Sequence, residues 1–382
     1  MEAMPTRQMV MIIAGETSGD HHGARLVRAM REKDEDIAFC GIGGDALRAA
    51  GVEIIVEAAQ LSVVGITEVV AKMPSVLEGA GAIKRAMVRR RPDLLVLIDF
   101  PDFNLHMAKY AKKHGIKVLY YISPQVWAWR SGRVRKIRRY VDHMAVILPF
   151  EADFYQAHQV PVTFVGHPML DHYPTAAYAL PEKRSDGKRV VGLLPGSRYS
   201  EIDRNLPVML AAASQVNQRI KDLVFVVSAA PSIDRSWLEA RVTHYRPVMD
   251  IELAIGGVAE VLSQATLVVA VSGTVTLETA IHAVPMVIVY RISPVSYALG
   301  RALVRVDHIG LANIIAGERV VPELVQADAT PAKIAQTVVD LLDEPEALET
   351  IRQKLQRVRE KLGDPGASEK TADIARAMIQ RR

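Results

Sequence analysis

Residues 94–104 read LLVLIDFPDFN, and the first five are apolar without a break. A strand with one face in water alternates apolar and polar residues; an unbroken run belongs to a strand covered on both faces, as in a parallel sheet between helices. That strand runs straight into Asp99, with Asp102 three positions on. Carboxylates at the mouth of a buried strand are costly, which makes this the first place to look for chemistry.

The same unbroken pattern recurs along the chain, in VMIIAG, VLYYIS, MAVILPF, VVGLLPG, LVFVVSA, LVVAVSG and MVIVYR. Amphipathic helical stretches separate these runs, and strand–helix alternation predicts βαβ units and a doubly wound parallel α/β architecture. The pattern opens twice, at Val10 and again at Val190, and the intervening 167–189 is rich in Pro and charge. We therefore expect two Rossmann-like domains facing each other across a cleft. The amino-terminal domain would span 1–175 and the carboxy-terminal domain 176–345, with helices over 346–382 packing back across both. Such sheets bind ligands at the carboxyl ends of their strands.

Composition is ordinary for 382 residues: 49% apolar, 24% charged, and one cysteine, Cys40, so no disulfide framework is possible. The apolar part of the amino-terminal stretch, MVMIIAG, is too short for a signal peptide. No apolar run approaches the ~20 residues that cross a bilayer. The expectation is a soluble or peripheral protein. Net charge is +4, concentrated in KRAMVRRR (84–91) and RSGRVRKIRR (130–139). Such runs are either solvated helix faces or surfaces that meet anions.

The second half carries the nucleotide-like features. In LVVAVSGTVTLETA (267–280) a buried strand ends, Ser272, Gly273 and Thr274 turn, and a helix follows. Helix-start amides and the dipole favour a phosphate, and Gly273 would let it approach the backbone. Glu278 lies one turn deeper on the same face and suits the two hydroxyls of a ribose. The plain alternative is N-capping by Ser272 or Thr274 with Glu278 on the surface. In GLLPGSRYSEI (192–202) a Pro-Gly-Ser bend places Arg198 at its tip, a guanidinium suited to a diphosphate. Asn313, Glu323 and Gln326 sit among apolar neighbours in GLANIIAGERVVPELVQ (310–326) and are read as facing the same site. CGIGGDALRAAG (40–51) lacks the spacing of a dinucleotide fingerprint, and no GxxxxGK[ST] loop is present.

In the first half, IIAGETSGDHHGARLV (12–27) is another strand–turn–helix with Glu16 at its rim. Adjacent His21 and His22 diverge on a helix and make a poor metal pair. Asp99, partly desolvated at its own rim, would have a raised pKa and serve as a base toward an acceptor hydroxyl. Asp102 is expected to cap the following helix. No metal-ligand spacing appears, so neither metal nor cofactor is expected.

Taken in order, AGETSGD (14–20), GIGG (41–44), IDFPDFN (98–104), SPQVWAWR (123–130), FVGHP (164–168), LLPGSR (193–198), SGTVTLE (272–278) and NIIAG (313–317) resemble the lipid-A-disaccharide synthase family. These are bacterial glycosyltransferases of the two-Rossmann GT-B arrangement. The likeness runs from about residue 10 to about residue 375, and Thr17 stands where many of the family carry alanine. It implies transfer from UDP-2,3-diacylglucosamine to 2,3-diacylglucosamine 1-phosphate, inverting, giving the β-1,6 disaccharide 1-phosphate and UDP. On motif position Asp99 would be the base and Glu16 would support the acceptor. Arg198, Ser272–Thr274, Glu278 and Asn313 would hold the nucleotide. Acylated substrates imply a cytoplasmic enzyme on the inner-membrane surface. That fits an apolar stripe with Val69, Val70 and Met73 ahead of KRAMVRRR, and Trp127, Trp129 and Arg130 in VWAWR. The partners would be the two lipid substrates and anionic lipid, not nucleic acid, and a homodimer stays open. A UDP-sugar 2-epimerase or hydrolase on the same fold is the alternative.

Overall fold

A computed structural model describes residues 8–61, 66–128, 131–173, 184–292 and 307–380, with the backbone alone for 66–72 and 131. The chain divides into two compact units. One runs to His172 and resumes at Leu362; the other spans Tyr173–Lys361.

In the first unit the strands are β1 (Met9–Ala14), β2 (Ala38–Gly43), β3 (Glu53–Glu57), β4 (Leu94–Ile98), β5 (Lys117–Tyr121), β6 (His143–Val146) and β7 (Val162–Phe164). They form one sheet in the order β3-β2-β1-β4-β5-β6-β7, parallel throughout. Its helices are α1 (Thr17–Lys33), α2 (Asp45–Ala49), α3 (Ala58–Leu61), α4 (Ile66–Arg90), α5 (Pro101–Lys113), α6 (Val134–Tyr140) and α7 (Pro149–Ala157). The unbroken apolar runs have the predicted cause. Met11, Ile13, Leu95 and Leu97 pack on one face of the sheet. Val10, Ile12, Leu94 and Val96 pack on the other. All five residues of β4 are fully buried, each contributing roughly 1.5–3 kcal/mol by transfer from water.

The second unit holds β8 (Arg189–Leu194), β9 (Leu223–Ser228), β10 (Ile251–Ala254), β11 (Leu267–Val271), β12 (Met286–Tyr290) and β13 (Glu323–Val325), again parallel, in the order β10-β9-β8-β11-β12-β13. Helices α8 (Tyr199–Arg219), α9 (Arg235–Val242), α10 (Val258–Gln264) and α11 (Thr274–Ile281) accompany it, with further helices over Leu311–Ala316, Pro331–Asp343 and Pro345–Lys361.

The expected pair of tail helices is divided between the units. Pro345–Lys361 packs on α11 and on the Leu311–Ala316 helix, whereas Ala367–Gln380 packs on α1 of the first unit. Ala367, Ala372 and Ala375 are fully buried there; their small side chains let the two helices approach closely.

In each sheet the strand order reverses at one place, between β1 and β4 and between β8 and β11. That is where an open α/β sheet leaves a crevice at the strands' carboxyl ends. Glu16 and Asp99 follow the first pair of strands; Arg198 and Ser272 follow the second.

Candidate functional site

The register pairs Ala14 of β1 with Ile98 of β4, so the turns after the two strands start side by side. Asp99 and Phe100 both adopt left-handed backbone conformations, with φ of 47° and 48°. Such geometry persists only where surrounding contacts enforce it. Here the Asn104 Nδ2 donates to the carbonyl oxygens of Ile98 at 3.1 Å and Asp99 at 2.6 Å, and the Tyr120 Oη donates to that of Asp99 at 2.6 Å. The Phe100 ring stacks on Phe103, with centroids 5.2 Å apart. It also lies over Gly15, where any Cβ would stand 2.4 Å from a ring carbon. The glycine of the AGETSGD motif is therefore the floor on which the Asp99–Phe100 turn rests.

The Asp99 carboxyl is half-buried, and its pKa is pushed up to about 6. Burial is the largest cause, the negative charge of Glu16 the second, and a hydrogen bond from the Phe100 amide opposes both. Glu16 itself is exposed at the N-cap position of α1, and its side chain makes no capping bond. Asp99 thus has the environment of a general base that is ionised near neutrality yet retains proton affinity.

Its neighbours take other parts. Asp102 does not cap α5. It sits exposed in the first helical turn, where Phe100 is the N-cap, and pairs with Arg133. Asp20 is the unforeseen structural carboxylate. It is buried and accepts from the amides of Gly44 (2.7 Å), Ala46 (2.9 Å) and Leu47 (3.2 Å), capping α2. The GIGG stretch is thereby explained: a Cβ on Gly44 would stand 2.9 Å from that carboxylate.

Trp127 departs from its expected interfacial role. It is half-buried, its Nε1 donates 3.1 Å to the buried Glu151, and its ring meets Phe150 edge-on. The polar handle of the indole is spent inside. Burial raises the Glu151 pKa to about 7. Trp129 and Arg130 lie outside the described residues, as do the side chains of Val69 and Val70, although α4 carries both positions. Met73 (44% exposed) stands on the surface of α4, joined by Leu77 (66%) and Val88 (48%).

The second unit has a cavity of about 620 Å³ at the carboxyl ends of its central strands. Arg198, Ser272, Gly273, Thr274 and Glu278 all line it, together with Ser197, Glu201, Arg204 and Arg291. The amino-terminal turns of α8 and α11 border this space, where first-turn amides lack intrahelical partners. A Cβ on Gly273 would meet no atom within 4 Å, so that side of the turn is open. Glu278 is half-buried, accepts a hydrogen bond from the Tyr173 phenol, and has its pKa raised by burial despite that bond. Tyr173 also meets His282 edge-on at 4.5 Å. Spacing gives no hint of Tyr173, 105 residues from its partner.

Asn313, Glu323 and Gln326 are not brought to this cavity. Asn313 is fully buried. Its Oδ1 accepts from the amides of Val320 (2.8 Å) and Val321 (2.9 Å), and its Nδ2 donates to the Val321 carbonyl (2.9 Å) and Glu323 (2.8 Å). Glu323 accepts from the amides of Ile309 and Gly310 at 3.0 and 2.9 Å. Gln326 clasps the backbone of Ile292 through two bonds of 2.9 and 3.1 Å. The hydrogen-bonding groups expected to face a ligand instead hold the loops at 292 and 309–321. Among the described residues no group of three His, Cys, Asp or Glu has metal-binding geometry.

A family model described as lipid-A-disaccharide synthetase matches residues 10–378. The lipid-A-disaccharide synthase of Geobacter sulfurreducens is 46% identical over 382 residues, covering 98% of each chain. That of Coxiella burnetii is 40% identical over 381 residues, covering 98% of this chain and 99% of the relative. Among solved structures, the UDP-GlcNAc 2-epimerase of Neisseria meningitidis bound to UDP-GlcNAc superposes with a TM-score of 0.58 at 10% identity, covering 98% of this chain and 100% of its own. The calicheamicin glycosyltransferase CalG4 does so at 0.61 and 16%, covering 99% of both. These structural likenesses show the fold alone.

Proposed function

The chain belongs to the lipid-A-disaccharide synthase family and is a glycosyltransferase of lipid A biosynthesis, and from that premise we propose how its residues divide the work. The donor is UDP-2,3-diacylglucosamine and the acceptor 2,3-diacylglucosamine 1-phosphate. Asp99 takes the proton of the acceptor 6-hydroxyl as its oxygen attacks the anomeric carbon. The bond from that carbon to the diphosphate breaks, its electron pair leaves with UDP, and configuration inverts. What carries this reading is the Asp99 carboxyl: half-buried, held at a strained turn where the strand order reverses, and poised near pKa 6.

Glu16 supports the acceptor side, and its charge keeps Asp99 basic. UDP occupies the cavity of the second unit, with Arg198 toward the diphosphate, the Ser272–Thr274 turn beside it and Glu278 toward the ribose. Asn313, Glu323 and Gln326 support that site by fixing its flanking loops. Charge on the leaving diphosphate is met by guanidinium and helix amides acting in a site already organised for it.

Both substrates are acylated, so the enzyme works as a peripheral protein on the inner-membrane surface. Exposed Met73, Leu77 and Val88 on α4, with Arg85 and Arg89, support this reading, and no helix among the described residues is long and apolar enough to cross a bilayer. Sedimentation of the full chain decides whether a second copy joins these partners. The test of the reaction is UDP release from the diacylglucosamine donor with and without the acceptor. Acceptor-dependent release with disaccharide formation supports transfer; release that ignores the acceptor would place the chain with hydrolases or epimerases instead.

A further inference from the structure

We infer that Glu201 is an internal stand-in for the leaving diphosphate. It seats its carboxylate on the anion-binding turn, and it must give way when UDP enters. This rests on the cavity being the UDP site.

Glu201 lies in the first turn of α8, whose N-cap residue is Arg198. Its carboxylate folds back over the preceding bend. One oxygen accepts from the Ser197 amide at 3.1 Å and the other from the Arg198 guanidinium at 3.1 Å. A backbone amide and an arginine fork at a helix amino terminus are the donors a phosphate oxygen seeks. Arg198 is the guanidinium that faces the UDP diphosphate, and Ser197 lines the cavity with it beside Glu201. The seat is shaped by Gly196, at φ +123°, where a Cβ would stand 2.8 Å from the Glu201 side chain. Only a glycine lets the carboxylate fold onto the turn, and the same bare backbone admits a phosphate.

Two like charges cannot share these donors. A diphosphate brings more negative charge and more acceptor oxygens than one carboxylate, so it takes the seat. The displaced bond is cheap to part, because the Arg198 side chain is 65% exposed and that of Glu201 35%. Arg204, three residues on and lining the same cavity, offers the displaced carboxylate a cation on its own helix face. When the sugar has left, return of the carboxylate helps to expel UDP. Glu201 therefore sets the affinity for the diphosphate and the rate of its release, and has no bearing on the uridine end.

The test compares Glu201→Gln with the parent full chain, titrating UDP and uridine by calorimetry and following UDP release by stopped flow. Glutamine removes the competing charge. The expected result is UDP binding about 3–10-fold tighter, slower UDP release, and unchanged uridine affinity. A variant that melts like the parent but binds UDP equally well or more weakly overturns the inference. Should the substitution prevent folding, a crystal structure of the parent with UDP decides. Glu201 must have left the Ser197 amide, with a diphosphate oxygen in its place; a retained Ser197–Glu201 bond overturns the inference. Failure of the parent to bind UDP, or binding that ignores Arg198→Ala, would instead overturn the nucleotide assignment of the cavity, and this inference with it.

Discussion

The Tyr120 hydroxyl donates to the main-chain carbonyl oxygen of Asp99 at 2.6 Å, so the residue closing β4 is held through its backbone by the neighbouring strand. Tyr120 is fully buried, and burial pushes its phenol well above the ordinary range, so it remains a donor at every working pH. Asn104 donates to the same carbonyl. Together they enforce two consecutive left-handed residues that would otherwise relax. Tyr120→Phe removes one restraint without leaving a large void. Turnover should fall by about tenfold, a misplaced base costing on the order of 1–2 kcal/mol of barrier. UDP affinity should stay at the parent value in calorimetry. An equal loss in both would mean that the bond serves stability alone.

The Asp99 carboxyl fixes a pH dependence. A base works ionised, so kcat/KM toward the acceptor should rise with pH through about 6 and level off above it. The linkage to stability has the opposite sense. A carboxyl whose pKa rises from 3.8 unfolded to about 6 folded binds its proton more tightly when folded. The protein therefore loses stability from this group as pH climbs from about 4 to about 6, by on the order of 2–3 kcal/mol. Asp99→Asn keeps a residue that tolerates positive φ and removes the charge. Its melting temperature should exceed the parent's at pH 7, and the gap should close near pH 4.5, while turnover falls by at least a hundredfold. A variant less stable than the parent at pH 7 would show that the carboxyl is not desolvated.

Glu16 acts on Asp99 through charge. Its negative charge is the second cause of the raised pKa, after burial. Glu16→Gln should move the acidic limb of the kcat/KM profile to lower pH by roughly half a unit, the size of a single screened interaction near a surface. The limb must move down, not up, because losing a neighbouring anion makes the Asp99 proton easier to release. A profile that holds its midpoint while its height drops would assign Glu16 to acceptor contact alone.

Period and burial were readable from the chain because a strand covered on both faces leaves no alternation. LLVLI, RVVGLL and LVVAV each announce a central parallel strand, and Asp99, Arg198 and Ser272 follow from where those strands stop. The polar groups packed among apolar neighbours were harder to read. Asn313, Glu323 and Gln326 look like ligand contacts in one dimension, yet folding spends their hydrogen bonds on backbone brought from 292 and 309–321. A buried amide is recruited wherever loop backbone lacks a partner, and linear spacing does not show which backbone that will be. The Trp127 indole is a like case: its N–H meets the buried Glu151 of α7, 24 residues on. The role of Asp20 is not legible in the sequence because its three amide partners begin 24 residues on.

Asn313→Ala separates those two kinds of role. Four hydrogen bonds of 2.8–2.9 Å would be lost from a fully buried site, taking one partner each from the amides of Val320 and Val321, the Val321 carbonyl and the Glu323 carboxylate. Unsatisfied buried groups cost roughly 1–3 kcal/mol each before relaxation. The melting temperature should drop by several degrees. UDP affinity should fall less than in Glu278→Ala, whose side chain lines the cavity and should affect melting little. The reverse pattern, a stable Asn313→Ala that no longer binds UDP, would return Asn313 to the ligand.

The surface of α4 offers a last measurement. Met73 and Leu77 lie four residues apart, on one helix face, and are 44% and 66% exposed. Apolar side chains of this size normally leave water on folding, and a layer of lipid headgroups and acyl ends is what would cover them here. Inserting each should gain about 1 kcal/mol, given the area still exposed. Replacing both with serine should therefore lower partitioning to anionic vesicles by about tenfold or more, since each 1.4 kcal/mol is a factor of ten. Exposed Arg85 and Arg89, further along the helix, contribute a separate part that salt screens. Raising ionic strength should weaken the parent and the double variant by similar factors, whereas the serine effect should persist at high salt. If both proteins partition alike at every salt concentration, α4 does not meet the bilayer, and the acylated substrates must reach the enzyme by another face.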